Sequence, residues 1–192
     1  MPRRHDPGRR GRIIDAAIRI VELKGIPALS HRSVAAEADV PLGSTTYHFA
    51  GLDDLLVAAL EQVNSEPHSA MRDWGRALDE AVGGTPGEPG GDSGLADALA
   101  RLLEEYAHGG RGRIRLEYEL YLAALRRPPL QPLAAAWLDE MVDVIARHTA
   151  DLATARVLVA LIDGLLLQLL LTDRPFDRAG VRAALARVTG GA

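Results

Sequence analysis

Apolar residues recur at helical spacing along almost the whole chain, and no run alternates with the period of two that a half-buried strand needs. Ile14, Ala17, Ile18 and Val21 fall at i, i+3, i+4 and i+7, a first stripe that stops at Gly25. Ser30 stands where an N-cap belongs, ahead of HRSVAAEADV. Pro41-Leu42-Gly43 then breaks the pattern, GSTTYHF reads as a short helix, and Leu52 to Val63 as another. Pro67 suits the first turn of a helix running to about Val82. Residues 83–94 are rich in glycine and proline and read as a flexible loop within one domain, because Leu95, Leu99, Leu102 and Leu103 resume the stripe at once. Further helices are expected at 113–126, 133–149, 152–172 and 178–188, with Pro128, Pro129, Pro132 and Pro175 as breaks. The expected class is all-α.

With 192 residues, 47% of them hydrophobic, the chain is long enough to bury a core. It has no cysteine, which removes disulfides, thiolate metal sites and a thiol nucleophile. The basic start MPRRHDPGRRGR leads into the charged segment IIDAAIRIVELKG and not into an apolar signal core. The longest uncharged apolar stretch, Gly164 to Thr172, falls well short of the roughly 18 residues of a membrane span. A soluble, cytoplasmic protein is expected. The net charge of −4 argues against nucleic acid only until it is divided. Residues 1–32 carry eight basic groups against Asp6, Asp15 and Glu22, whereas residues 33–60 carry only the acids Glu37, Asp39, Asp53 and Asp54. Basic charge is thus concentrated in the N-terminal arm and first helix.

Ser30 to Phe49 reads as helix, tight turn, helix within about twenty residues, each helix too short to stand alone. Val34, Ala35 and Ala38 offer a small apolar inner face, Val40 and Leu42 are placed to plug the turn, and Gly43 lies where the chain re-enters a helix. That is the arrangement of a helix-turn-helix, whose second helix enters the DNA major groove. Its residues Ser44, Thr45, Thr46, Tyr47 and His48 carry hydrogen-bonding groups and no acid. The segment ALSHRSVAAEADVPLGSTTYHFAGLDDLL resembles the N-terminal DNA-binding domain of the tetracycline-repressor (TetR) family of transcription regulators, with the match spanning about residues 10–60. The resemblance implies a three-helix DNA-binding domain at 8–60, its helix-turn-helix at about 30–49, and a larger helical ligand-binding and dimerisation domain at 61–192. It implies DNA contacts at Ser30, Arg32, Ser44, Thr45, Thr46, Tyr47 and His48. Arg32 is the leading base reader, with a phosphate contact as its competing role. Phe49 is expected in the core. Where many relatives place a phosphate-binding lysine, this chain has Leu52, so a shallow salt dependence is expected.

A regulator of this kind implies a homodimer on double-stranded operator DNA, most simply a repressor released by a small-molecule effector. Leu133, Trp137, Met141 and Val144 line one dimerisation candidate, and Leu158, Ile162, Leu165, Leu166 and Leu169 lie on another helix that is apolar nearly all round. Asp163 and Gln168 interrupt it, serving either ligand or structure. Effector-pocket candidates are Met71, Trp74, Leu103, Tyr106, Tyr118, Tyr121 and Leu122, which suit an apolar or amphipathic ligand. No catalytic residue, cofactor or metal site is expected: HExxH, GxSxG and phosphate-binding loops are missing from the sequence. Glu104-Glu105 and Glu117/Glu119 read as solvated helix faces. The competing reading is a helical protein-interaction adaptor with weakened DNA binding, supported only by Leu52.

Overall fold

The structure, a computed structural model, describes residues 8–65, 70–82, 91–109, 111–172 and 174–190. Among these the chain forms ten α-helices and two 3-10 turns, with no strand. They are α1 (Arg9–Lys24), α2 (His31–Glu37), α3 (Leu42–His48), α4 (Leu52–Ser65), α5 (Ala70–Ala81), α6 (Gly91–Gly109), α7 (Arg111–Ala123), α8 (Gln131–Ala146), α9 (Leu152–Leu171) and α10 (Arg178–Thr189). The all-α class follows. The expected helix start at Pro67 and residues 83–90 of the glycine-rich run lie outside the described residues; residues 91–94 are not loop but the first turn of α6.

The chain divides into two units, Met1–Glu66 with Arg115–Ala134, and Pro67–Ile114 with Ala135–Ala192. In the first unit α1 packs against α2, α3 and α4. Ile13, Ala17, Ile20 and Val21 of α1 share one core with Val34, Phe49, Leu55, Leu56 and Leu60. The unit also takes in a stretch of chain beyond the 8–60 read from sequence. Leu116, Leu120, Ala124 and Leu130 belong to the same core, so α1 and α4 are covered by residues more than fifty positions downstream. Polar ties add to this: Gln62 of α4 donates to Asp15 of α1 (2.6 Å), and from downstream Tyr121 Oη donates to Asn64 Oδ1 (2.7 Å) and Arg127 pairs with Asp53.

Two backbone positions shape this unit. Gly25 ends α1 at φ +78°, its N–H bonded to the Val21 carbonyl at 2.8 Å, and the 3-10 turn Ile26–Ala28 follows. Asp39, in the turn between α2 and α3, has φ +51°, a left-handed conformation that aspartate tolerates better than most residues.

In the second unit α6 packs against α5 and α10, and α10 against α9. Trp74, Leu78, Leu95, Leu99, Leu103, Leu158, Ile162 and Leu185 are buried. Asp151 caps α9 by accepting from Thr154 N (2.7 Å), which holds its carboxyl below the ordinary range, and Asp177 caps α10 through Gly180 N (3.0 Å). By length and composition α9 is apolar enough to cross a membrane, and only 28% of it is buried within the chain. The apolar stretch read from sequence was shorter because Arg156 and Asp163 interrupt the helix without ending it.

Candidate nucleic-acid interface

The helix-turn-helix is built from its caps inward. Ser30 Oγ accepts from Ser33 N (3.0 Å), and Ser33 Oγ accepts from Ser30 N (2.9 Å), a reciprocal box that satisfies two donors at the start of α2. The Ser30 hydroxyl is therefore committed to its own helix. Val34, Ala35 and Ala38 form the buried face of α2, and Arg32 points to solvent one residue into the helix.

On α3 the structure corrects two of the residues expected at DNA. Thr45 is wholly buried and Ser44 nearly so, whereas Thr46 and Tyr47 are exposed. A seven-residue helix packed on one side must turn part of its circumference inward. Thr45 can be that part because its hydroxyl donates to the Leu42 carbonyl at 2.8 Å and leaves no polar group unsatisfied. Ser44 and Thr45 thus lie on the inward side of α3. Tyr47 is 84% exposed. His48 is partly buried, its ring edge-on to Tyr47 with centroids 5.1 Å apart, and Phe49 lies in the core beneath the Arg10 guanidinium, 5.2 Å from its ring centre. Leu42, expected to plug the turn, is instead 47% exposed; Val40 does the packing.

The effector candidates fall in both units. Trp74 and Tyr106 meet edge to face in the second, centroids 6.0 Å apart, and Leu103 is buried there in the core. Tyr118, Tyr121 and Leu122 belong to the first unit, where Tyr121 is tied to Asn64. Leu122 is 47% exposed. The side chain of Met71 lies outside the described residues. Two of the four glutamates read as solvated are otherwise: Glu117 is buried, and Glu119 accepts from Ile26 N at 2.9 Å. Pair spacing on a helix gave no sign of this, since the Glu119 partner lies 93 residues upstream. A separate cleft of about 430 Å³ lies between α5 and α8, lined by Arg72, Gly75, Arg76, Asp79, Glu80, Glu140, Val144 and Arg147. No effector candidate lines it. Beside it the buried His148 sits 3.1 Å from Asp79 Oδ1, at ion-pair distance without hydrogen-bond geometry, and burial pushes its pKa below the ordinary 6.5. Among the described residues no three His, Asp or Glu side chains gather as a metal site.

A family profile described as tetracyclin repressor-like, C-terminal domain, matches residues 90–191. The multidrug binding protein EbrR, in its crystal structure with imidazole, is 53% identical, with a TM-score of 0.81 over 96% of each chain. The chain belongs to the tetracycline-repressor family. A second TetR-family structure, SCO1917 from Streptomyces coelicolor A3, is 53% identical over 95% of this chain and 99% of its own, with a TM-score of 0.74. An uncharacterized HTH-type transcriptional regulator in the dhlA 5′ region of Xanthobacter autotrophicus is 28% identical over 151 residues, 78% of this chain and 69% of that one. The chain is thus a TetR-family, helix-turn-helix transcription regulator.

For a TetR-family chain the remaining question is which apolar groups are left for a partner subunit. Met141, Leu158, Ile162, Leu166 and Leu169, all expected at the dimer interface, are buried within their own chain. They are core residues, and the correction has a simple cause: a helix apolar all round gives no sequence signal for which side faces inward. Leu133, Trp137, Val144 and Leu165 keep partial exposure. The outward apolar face of α9 is carried instead by Leu152, Val157 (52% exposed) and Leu171 (75%), with Leu138 on α8.

Proposed function

We propose that this TetR-family chain is a homodimeric repressor that occupies a pseudo-palindromic, double-stranded operator and leaves it when a small aromatic cation binds. The observation that carries the DNA half is the placement of Arg32, Thr46 and Tyr47 on the solvent side of two short helices whose opposite sides are buried. Arg32 serves as the base reader, Tyr47 and His48 meet the sugar-phosphate backbone, and the capping box of Ser30 and Ser33 holds α2 in place. Ser44 and Thr45 position α3 from within. Two-fold symmetry places half-site centres about 34 to 36 Å apart. The exposed apolar face of α9 supplies a surface for the second subunit, since Val157 and Leu171 have no cover within the chain.

The effector class rests on the relatives and on one aromatic pair. EbrR structures hold ethidium, proflavin and malachite green, all aromatic cations. Here Trp74 and Tyr106 form an edge-to-face aromatic pair in the second unit, and aromatic ring faces attract such cations. Fluorescence anisotropy with DNA from the gene's own upstream region tests the reading. A saturable complex that dissociates as ethidium is added is expected. Absence of any complex at low salt sinks the regulator at this site, and a complex indifferent to ethidium, proflavin and malachite green sinks the effector assignment.

A further inference from the structure

We infer that Leu42 is a base-reading residue whose side chain meets the 5-methyl group of a thymine in each operator half-site. This rests on the DNA-binding reading above and adds to it the chemistry of one contact. Leu42 opens α3 and is 47% exposed, an aliphatic group with no place in the core that Val40, two residues earlier, packs against. It stands four residues before the exposed Thr46, so the two are neighbours on the helix surface, both exposed where Ser44 and Thr45 are buried.

The groups around Leu42 narrow what it meets. Gly43 beside it is exposed, and a Cβ built there touches nothing within 4 Å, so no side chain holds the start of α3 away from a groove floor. Thr46 leans its hydroxyl on the Gly43 carbonyl at 3.4 Å. The outward side of the helix start is therefore aliphatic, where a donor or acceptor would have been expected to read a base. The major groove presents one apolar feature, the thymine methyl, and an aliphatic group there distinguishes T·A from C·G without a hydrogen bond. Burying a methyl against Leu42 contributes about the transfer free energy of one such group, a factor of about four in affinity per half-site.

The test begins with an operator selected from random-sequence DNA by the full-length protein. Each thymine is then replaced in turn by deoxyuridine, which keeps the hydrogen-bonding edge and lacks only the methyl. At one thymine in each half-site the substitution is expected to weaken wild-type binding about fourfold per half-site. Leu42→Ala is expected to bind the thymine and deoxyuridine operators equally, with a melting temperature lowered by no more than a few degrees because 47% of the residue is already exposed. A tightly bound operator with no methyl-sensitive thymine overturns the assignment, as does a sensitivity that survives in Leu42→Ala. A selection that enriches no sequence overturns sequence-specific DNA binding itself, a result distinct from tight but methyl-blind binding.

Discussion

At single residues the structure separates holding from reading. Ser30 was legible as a cap from its place before an apolar run, and its hydroxyl is spent on Ser33 N. Ser30→Ala is expected to lower stability by about 1 kcal/mol in urea unfolding. Unchanged stability with weakened operator binding would instead make Ser30 a DNA contact. Thr45 was not legible: hydroxyl residues on a short helix look solvent-facing until the carbonyl that accepts from them is known. Thr45→Val keeps the shape and removes only the bond to the Leu42 carbonyl, so operator affinity should stay within about twofold while stability falls by about 1 kcal/mol. His148 is a third case. Burial lowers its pKa, Asp79 opposes that in part, and Arg147 adds to it. The folded chain thus favours the neutral ring. As pH falls below about 6.5 the unfolded chain takes up the proton first, so stability is full above that pH and is lost down to the folded-state pKa. The urea midpoint should drop more between about pH 7.5 and pH 5.5 for the wild type than for His148→Gln.

Among the elements, helices with one apolar stripe were readable and the helix with several was not. Ile14, Ala17, Ile18 and Val21 announced the buried side of α1, and all four are buried. For α9 the same reasoning placed Leu158, Ile162 and Leu166 on the outside, because periodicity measures amphipathicity and this helix has little. Val157 and Leu171 are the positions to change. Val157→Glu puts a charge on the exposed face without disturbing the buried one. Sedimentation of that variant should show monomers at concentrations where the wild type is a dimer, with helix content unchanged. A variant that remains dimeric would move the interface elsewhere. The tie from Glu119 on α7 to Ile26 N lay beyond any local pattern, since it joins a carboxylate to a backbone group 93 residues away. Gly25 beside that bond already has a left-handed φ, and a Cβ there would come within 3.1 Å of the Glu119 carboxylate. Gly25→Ala should therefore lower the melting temperature by several degrees, through a loss of about 1 kcal/mol or more.

Over the whole molecule the net charge of −4 averages two unlike surfaces. The start of α4 bears Asp53 and Asp54 behind Leu52, with Asp53 paired to Arg127 and Asp54 accepting from Ala50 N. On the proposed reading, cationic phosphate contacts then come from the arginines of α1, beside the backbone contacts of Tyr47 and His48. Six such contacts in a dimer would give a slope of log affinity against log salt of about −5, and Leu52→Lys should steepen it by about 2. A Leu52→Lys slope equal to the wild type would place the α4 start away from the phosphates. The core of the first unit has a different outcome for the gene. Leu116, Leu120, Ala124 and Leu130 fill it from far downstream, so a stop codon just after α4 would strip part of the cover from the core that holds Leu55, Leu56 and Leu60. Such a truncated product would be a target for proteolysis rather than a small, permanently active repressor, and alleles that cut the chain between α4 and Leu116 should be recessive.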